Sequence, residues 1–227
     1  MNTTSILSLR HVDFAYAGGR TVLSDVNLDV DQGGYLMVRG PSGAGKSTML
    51  RLMNRLEEPD AGRIEFHGKA LSEYAPPLLR RRVSYIQQVP QLLDRSIRDN
   101  LLLPFTFAAN KDLERPTDEQ LAELLGEFLL DDLTLEHNAL NCSVGQSQRL
   151  CLARALLPGP EVMLLDEPAS ALDAESRRMV EDLCERLNRD KSITVVMISH
   201  HDYEPRSVAA QWVEVRDGRI SEKGQGA

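Results

Sequence analysis

The eight residues Gly40-Pro41-Ser42-Gly43-Ala44-Gly45-Lys46-Ser47 fit the pattern G-x-x-x-x-G-K-[ST], and no other feature of the chain limits its possible folds so tightly. A backbone can wrap phosphate oxygens this closely only where glycines allow left-handed angles and approach without a Cβ. The loop must also open a helix, whose N-terminal partial charge favours anions. A strand has to feed it, and Tyr35-Leu36-Met37-Val38 is a short apolar run of the kind buried on both sheet faces. A helical pattern follows over residues 46–55. In that context Lys46 bridges the β- and γ-phosphates and the Ser47 hydroxyl ligates Mg²⁺. Thr48 continues the amide-rich rim beside the α-phosphate. Alone, the loop specifies a phosphate site and no particular reaction.

The rest of the chain supplies a sheet for this loop. Residues 7–14 and 22–30 alternate apolar and polar side chains, as half-buried antiparallel strands do, with Gly18-Gly19 between them. Residues 64–66 and 83–86 read as further strands, with His67-Gly68 as a turn. Residues 89–157 then read as mostly helical. One helix covers 96–103, capped by Ser96 with Asp99 in its first turn. A second opens at the Thr117/Gln120 capping box and shows Leu121, Leu124, Leu125 and Phe128 on one face. A third spans 146–157 and stops at Pro158-Gly159-Pro160. Buried-strand patterns return at 162–165 and 193–198, separated by a helix over 174–188, and Asp217-Gly218 joins a terminal hairpin. Strands alternating with helices predict an α/β core with a mainly parallel sheet, interrupted by a helical insertion. Arg80-Arg81-Arg82 reads as a solvated helix face.

Composition excludes several classes. A chain of 227 residues, 42% hydrophobic, supports one core with a small subdomain. Its net charge of -8 argues against a nucleic-acid surface, which needs clustered Lys and Arg. No run approaches the ~20 apolar residues of a membrane span, and residues 1–10 lack the pattern of a signal peptide. These features predict a cytoplasmic protein. Cys142, Cys151 and Cys184 read as buried free thiols.

A second group of residues completes the chemistry. Asp166 ends the apolar run at 162–165, where open α/β sheets place ligands, and Glu167 follows directly. Asp166 fits a magnesium-organising role through water, and Glu167 that of general base toward an attacking water. Strand-end carboxylates are otherwise merely solvated; beside the phosphate loop the functional reading prevails. Ser170-Ala171-Leu172-Asp173 comes next, and His200 follows the strand at 193–198, positioned to sense a γ-phosphate.

In this order the residues resemble the ABC (ATP-binding cassette) ATPase family across essentially the whole chain. The likeness is carried by the loop at 40–47, Gln88 in Gln88-Val89-Pro90, a signature at Ser143-Val144-Gly145-Gln146, Asp166-Glu167, the loop ending at Asp173, and His200. The resemblance implies a P-loop NTPase (RecA-like) α/β core with an N-terminal antiparallel β subdomain and an inserted α-helical subdomain. It implies one domain over 1–227, with the core at 1–88 and 160–227 and the helical part at about 89–159. ATP is the ligand and Mg²⁺ the cofactor. Tyr16 stacks on adenine; Glu167, His200 and Gln88 are catalytic; Ser47, Gln88 and Asp166 attend the metal. The signature acts on a partner's ATP, and Asp173 lies in the dimer loop.

The family's implied assembly is a homodimer closed by ATP, on an integral membrane permease at the inner face of the cell membrane, with no nucleic-acid partner. Val144 departs from the family's glycine, which implies altered γ-phosphate contacts and slow hydrolysis. Segments 82–93 and 96–105 look like the ATP-binding subunits of bacterial Fet-type iron exporters. The alternatives are lipoprotein-releasing, phosphate or amino-acid transporter subunits, or a soluble non-transport ABC ATPase. A small-molecule kinase would need an arginine-bearing lid and no signature.

Overall fold

The structure is a computed structural model that describes residues 4–199 and 203–223; His200 lies outside the described residues. Strands β1 (Ser5–Ala15) and β2 (Thr21–Asp31) pair antiparallel, matching Leu9 with Leu28, Val12 with Val26 and Phe14 with Leu23. The pairing puts their apolar alternation on one face. β4 (Ala61–Phe66) adds to the other edge of β1, and the two-residue β5 (Lys69–Ala70) completes the order β2-β1-β4-β5.

The second sheet has the order β10-β9-β3-β8-β7-β6. It contains β3 (Tyr35–Arg39), β6 (Val83–Ile86), β7 (Val162–Asp166), β8 (Thr194–Ile198), β9 (Ala210–Arg216) and β10 (Arg219–Lys223). All neighbours are parallel except the β9–β10 hairpin. Every residue of β7 and β8 is buried, as expected of strands covered on both faces.

The two faces of this sheet do different work. Val38, Val83, Val162, Leu164 and Ile198 pack with Met49, Leu50, Leu52 and Met53 of α1 (Lys46–Met53) and with the antiparallel sheet. Met37, Ile86, Met163, Leu165 and Met197 point the other way, into a core shared with the helices that follow. These are α3 (Ile97–Leu102), α4 (Asp118–Glu127), α5 (Val144–Leu156) and α6 (Ala174–Lys191). Capping is as the sequence predicts at Ser96, whose Oγ accepts from the Asp99 N–H, and at the Thr117/Gln120 box.

Three expectations change. Helix α5 begins at Val144 rather than Gln146, because Ser143 caps it and Gln146 closes a capping box from the third position. Arg80 to Arg82 are not simply solvated: they end α2 (Pro76–Arg82), where Arg80 donates to the Arg55 carbonyl, Arg81 pairs with Asp112 and Arg82 with Glu161. Cys142 is only half-buried, although all three thiols are free.

A buried carboxylate ties the end of the chain to α6. Glu185 is 2% exposed and accepts from Tyr203 Oη (2.7 Å), the Arg206 and Ser207 N–H groups (3.1 and 2.6 Å) and Ser207 Oγ (2.6 Å). Burial pushes its pKa up, but these donors outweigh burial and hold it below the usual value. A depressed folded pKa stabilises the fold at pH above the unfolded value, about 4.3. That contribution is lost as pH falls through the folded value. Glu185→Gln, which cannot accept from all four donors, is expected to lower unfolding free energy by about 2–4 kcal/mol in urea titrations at pH 7, with the deficit shrinking below about pH 4.

Candidate functional site

Gly40 has φ 144°, and a Cβ there would lie 2.0 Å from the Val215 carbonyl oxygen. The loop therefore leaves β3 pressed against β9. Gly45, at φ 101°, caps α1 with no side-chain hydrogen bond, and no acidic residue sits in the first turn. Helix N–H groups without side-chain acceptors make an anion site. The adjoining cavity, about 640 Å³, is lined by Tyr16, Arg20, Thr21, Val22, Pro41, Ser42, Gly43, Ala44, Gly45, Ser47, Thr48 and the Asp217-Gly218 turn. Tyr16 stands edge-on to Phe14 with ring centres 4.9 Å apart, and its hydroxyl is 3.2 Å from Thr48 Oγ1. A ring 40% exposed at the cavity wall offers a stacking surface.

Lys46 is 5% exposed, and its ammonium donates to the Gly40 and Pro41 carbonyls at 2.9 Å each. Burial lowers its pKa, while the charges of Glu167 and Asp166 pull it upward. Ser47 Oγ donates to Asp166 Oδ1 at 2.8 Å, and Tyr85 Oη donates to Asp166 Oδ2 at 2.7 Å. Burial, and then the Asp166 contact, push the Tyr85 phenol up to about 12. Glu167 takes a left-handed backbone, φ 51°, strained for a residue with a side chain. Gln88 Nε2 donates to Glu167 Oε2 and to Ser170 Oγ, both at 3.1 Å. Thus Gln88 turns its amide nitrogen, not its oxygen, toward this carboxylate. Gln87 is exposed beside it.

The signature residues lie apart from this cluster. Ser143 Oγ accepts from the Gln146 N–H (3.2 Å), Gln146 Oε1 accepts from the Ser143 N–H (2.8 Å), and Gln146 Nε2 donates to Asp132 (2.7 Å). None of the four signature residues 143–146 lines the cavity. Gly145 sits in a tight spot, since a Cβ there would lie 3.0 Å from Ser176 Oγ. Val144 has no such constraint: it starts α5 with its side chain 53% exposed. Asp173 caps α6, accepting from the Glu175 and Ser176 N–H groups at 3.0 Å, and those bonds depress its pKa.

A family model for ABC transporters matches residues 23–170. The chain belongs to the ABC transporter family. As an ABC protein it is one of the family's ATP-binding ATPase subunits. It is 36% identical over 210 residues to a phosphate import ATP-binding protein, PstB 3, of Natronomonas pharaonis, covering 87% of this chain and 73% of that one. It is 33% identical over 195 residues to the probable iron export ATP-binding protein FetA of Escherichia coli, covering 86% and 84%. A solved dimer of the ATP-binding cassette MJ0796, in a post-hydrolysis state with ADP and Pi, superposes with a TM-score of 0.85 at 27% identity, over 97% of this chain and 99% of that one.

Tyr85, Arg20, Asp132 and the Asp217-Gly218 turn are the site residues of this ABC subunit that sequence reading passed over. Arg20, a cation beside a glycine turn, and the Asp217-Gly218 turn carried a local signal. The others depend on strand pairing and loop packing. The glycine requirement is testable without ligand. A Cβ at Gly45 would meet Leu23 Cδ2 and the Val22 carbonyl oxygen at 2.9 Å. Gly45→Ala is therefore expected to lose about 1–3 kcal/mol of stability in thermal unfolding of the nucleotide-free chain.

Proposed function

We propose that this ABC subunit hydrolyses ATP as a homodimer beneath separate integral membrane permease subunits, and that the cargo is iron moved outward. The observation that carries the ATPase reading is the meeting of Ser47, Asp166, Glu167 and Gln88 at the mouth of the glycine loop. The core is assigned to 1–88 and 160–227 and the helical subdomain to 89–159. Among the described residues no helix is long and apolar enough to cross a membrane, which fits a subunit held at the inner membrane face by its permease.

The residues suit MgATP. Among the described residues no group of three or more His, Cys, Asp or Glu side chains could hold a metal. The oxygen donors present, Ser47 Oγ and the Asp166 carboxylate, suit a hard cation that also keeps phosphate and water oxygens, as Mg²⁺ does. Ser47 Oγ would hold it and Asp166 would order its water; when bound it offsets charge on the β- and γ-phosphates. Tyr16 stacks on the base. The amides of Ser42, Gly43, Ala44, Gly45, Lys46, Ser47 and Thr48 surround the phosphates behind Gly40 and Pro41. Lys46 turns from its two carbonyls to the γ-phosphate. Glu167 takes the proton of the attacking water as the new O–P bond forms and the bond to the ADP oxygen breaks. Gln88 holds Glu167 in place. His200 is assigned the γ-phosphate contact by its position after β8.

The second copy supplies what one chain lacks. The Ser143 hydroxyl accepts within its own chain, so its proton can be donated to a partner's γ-phosphate beside the Val144, Gly145 and Gln146 helix start, while Asp173 faces the same seam. The terminal phosphate is then the differential contact that favours the closed dimer. Val144 adds bulk at that contact without straining its own backbone, which favours slow turnover over loss of binding. Beside Gln88 a groove of about 480 Å³ is lined by Ile86, Val89, Pro90 and Phe107 together with Arg80, Arg81 and Arg154, and by no carboxylate. We assign the permease contact to this groove. The iron reading leans on segments 82–93 and 96–105 and on the FetA relative; the phosphate-import relative is as similar, so cargo must be measured.

Glu167→Gln is expected to run as a dimer in gel filtration with MgATP and as a monomer with ADP. Monomer behaviour in excess MgATP would remove the paired mechanism. For cargo, the complex purified with its membrane partner is expected to show ATPase activity stimulated by Fe²⁺. Stimulation by phosphate or an amino acid, with none by iron, would reassign it.

A further inference from the structure

We infer that Tyr85 is a positioning residue for Asp166, holding the carboxylate in its metal-organising orientation after Ser47 lets go of it. The inference rests on the proposed role of Asp166 in binding Mg²⁺ and adds a residue to that site.

The placement follows from the parallel sheet. Tyr85 on β6 is the register partner of Leu164 on β7, and Asp166 lies two residues further along β7. Side chains two apart share a sheet face. Tyr85, Leu164 and Asp166 therefore emerge on the face covered by α1, whose first turn carries Ser47. Three elements converge on one carboxylate that is 5% exposed. Its two oxygens are divided between them, Oδ1 to Ser47 and Oδ2 to Tyr85.

These two bonds differ in what nucleotide binding does to them. Ser47 must turn its oxygen to the cation, so it gives up donating to Oδ1. Nothing in that change touches the Tyr85 bond. A buried carboxylate with one oxygen tied is limited to a narrow range of rotation about its terminal bond, whereas an untied one is not. The Arg51 guanidinium of α1 lies near the Tyr85 hydroxyl and that of Tyr16, and the two phenols raise the pKa of the guanidinium. The Tyr85 ring is half-buried against the core that α1 shares with β6 and β7, so its hydroxyl has a fixed position from which to donate. A tyrosine needed only for packing would not have to end on a carboxylate oxygen.

Tyr85→Phe keeps the ring and removes only the donor. The test is equilibrium binding of a fluorescent ATP analogue, with Mg²⁺ varied and with EDTA. The half-saturating Mg²⁺ concentration is expected to rise about tenfold, the scale of one hydrogen bond to a charged group, while affinity in EDTA stays within about twofold of wild type. In an Asp166→Asn background the same substitution is expected to add no further shift, because the two residues act as one unit. An unchanged Mg²⁺ requirement overturns the inference, whatever happens to the melting temperature. So does an equal loss of affinity with and without Mg²⁺, or a shift that adds fully to that of Asp166→Asn. A wild-type chain whose nucleotide affinity ignores Mg²⁺ would instead remove the metal role of Asp166, and this inference with it.

Discussion

Helix α1 lies on the parallel sheet through Met49, Leu50, Leu52 and Met53, and that contact sets the positions of the glycine loop, Lys46 and Ser47. The helix starts where the glycine loop ends, so the seating that buries its apolar stripe also fixes where its N–H groups point. It brings the Ser47 hydroxyl to the end of β7. Burial of four large apolar side chains is worth several kcal/mol, which holds the glycine loop and a buried lysine in place before any ligand arrives. Apolar packing is here the source of polar precision.

The same sheet keeps two tasks apart. Residues at alternate positions of β6 and β7 face α1 on one side and the inserted helices on the other. Val83, Tyr85, Leu164 and Asp166 belong to the side covered by α1. Ile86, Met163 and Leu165 belong to the side that meets α5 and α6. Gln88 follows directly after β6 and reaches across the strand ends to Glu167 and Ser170. It thus joins the end of β6, where the helical insertion begins, to the Glu167 carboxylate.

Much of this was legible in the sequence, because each readable feature was local. The glycine loop, the continuous apolar runs of β3, β7 and β8, the Thr117/Gln120 box and the Asp217-Gly218 turn all write their geometry in adjacent residues. The start of α5 was misread by two residues for an instructive reason. Val144 and Gly145 are poor helix formers, yet Ser143 and Gln146 cap the helix reciprocally and outweigh that preference. Tyr85 and Asp132 were illegible because their roles depend on partners far along the chain. The groove beside Gln88 was equally hidden: its arginines come from α2 and α5, and an overall charge of -8 gives no hint that they gather. Valine at 144 departs from the motif and glycine at 145 keeps it; the side-chain environments, solvent against one and Ser176 against the other, appear only in three dimensions.

Helix α6 is a rod of 18 residues, about 27 Å long. One end is sealed by Asp173, on the loop that follows Glu167. Near the other, Glu185 grips the strap formed by Tyr203, Arg206 and Ser207, which in turn begins three residues beyond His200. Arg39, the last residue before the glycine loop, donates to the Tyr203 carbonyl from the opposite side. Through α6, the loop after Glu167, the strap and the residue that leads into the glycine loop form one connected chain of hydrogen bonds.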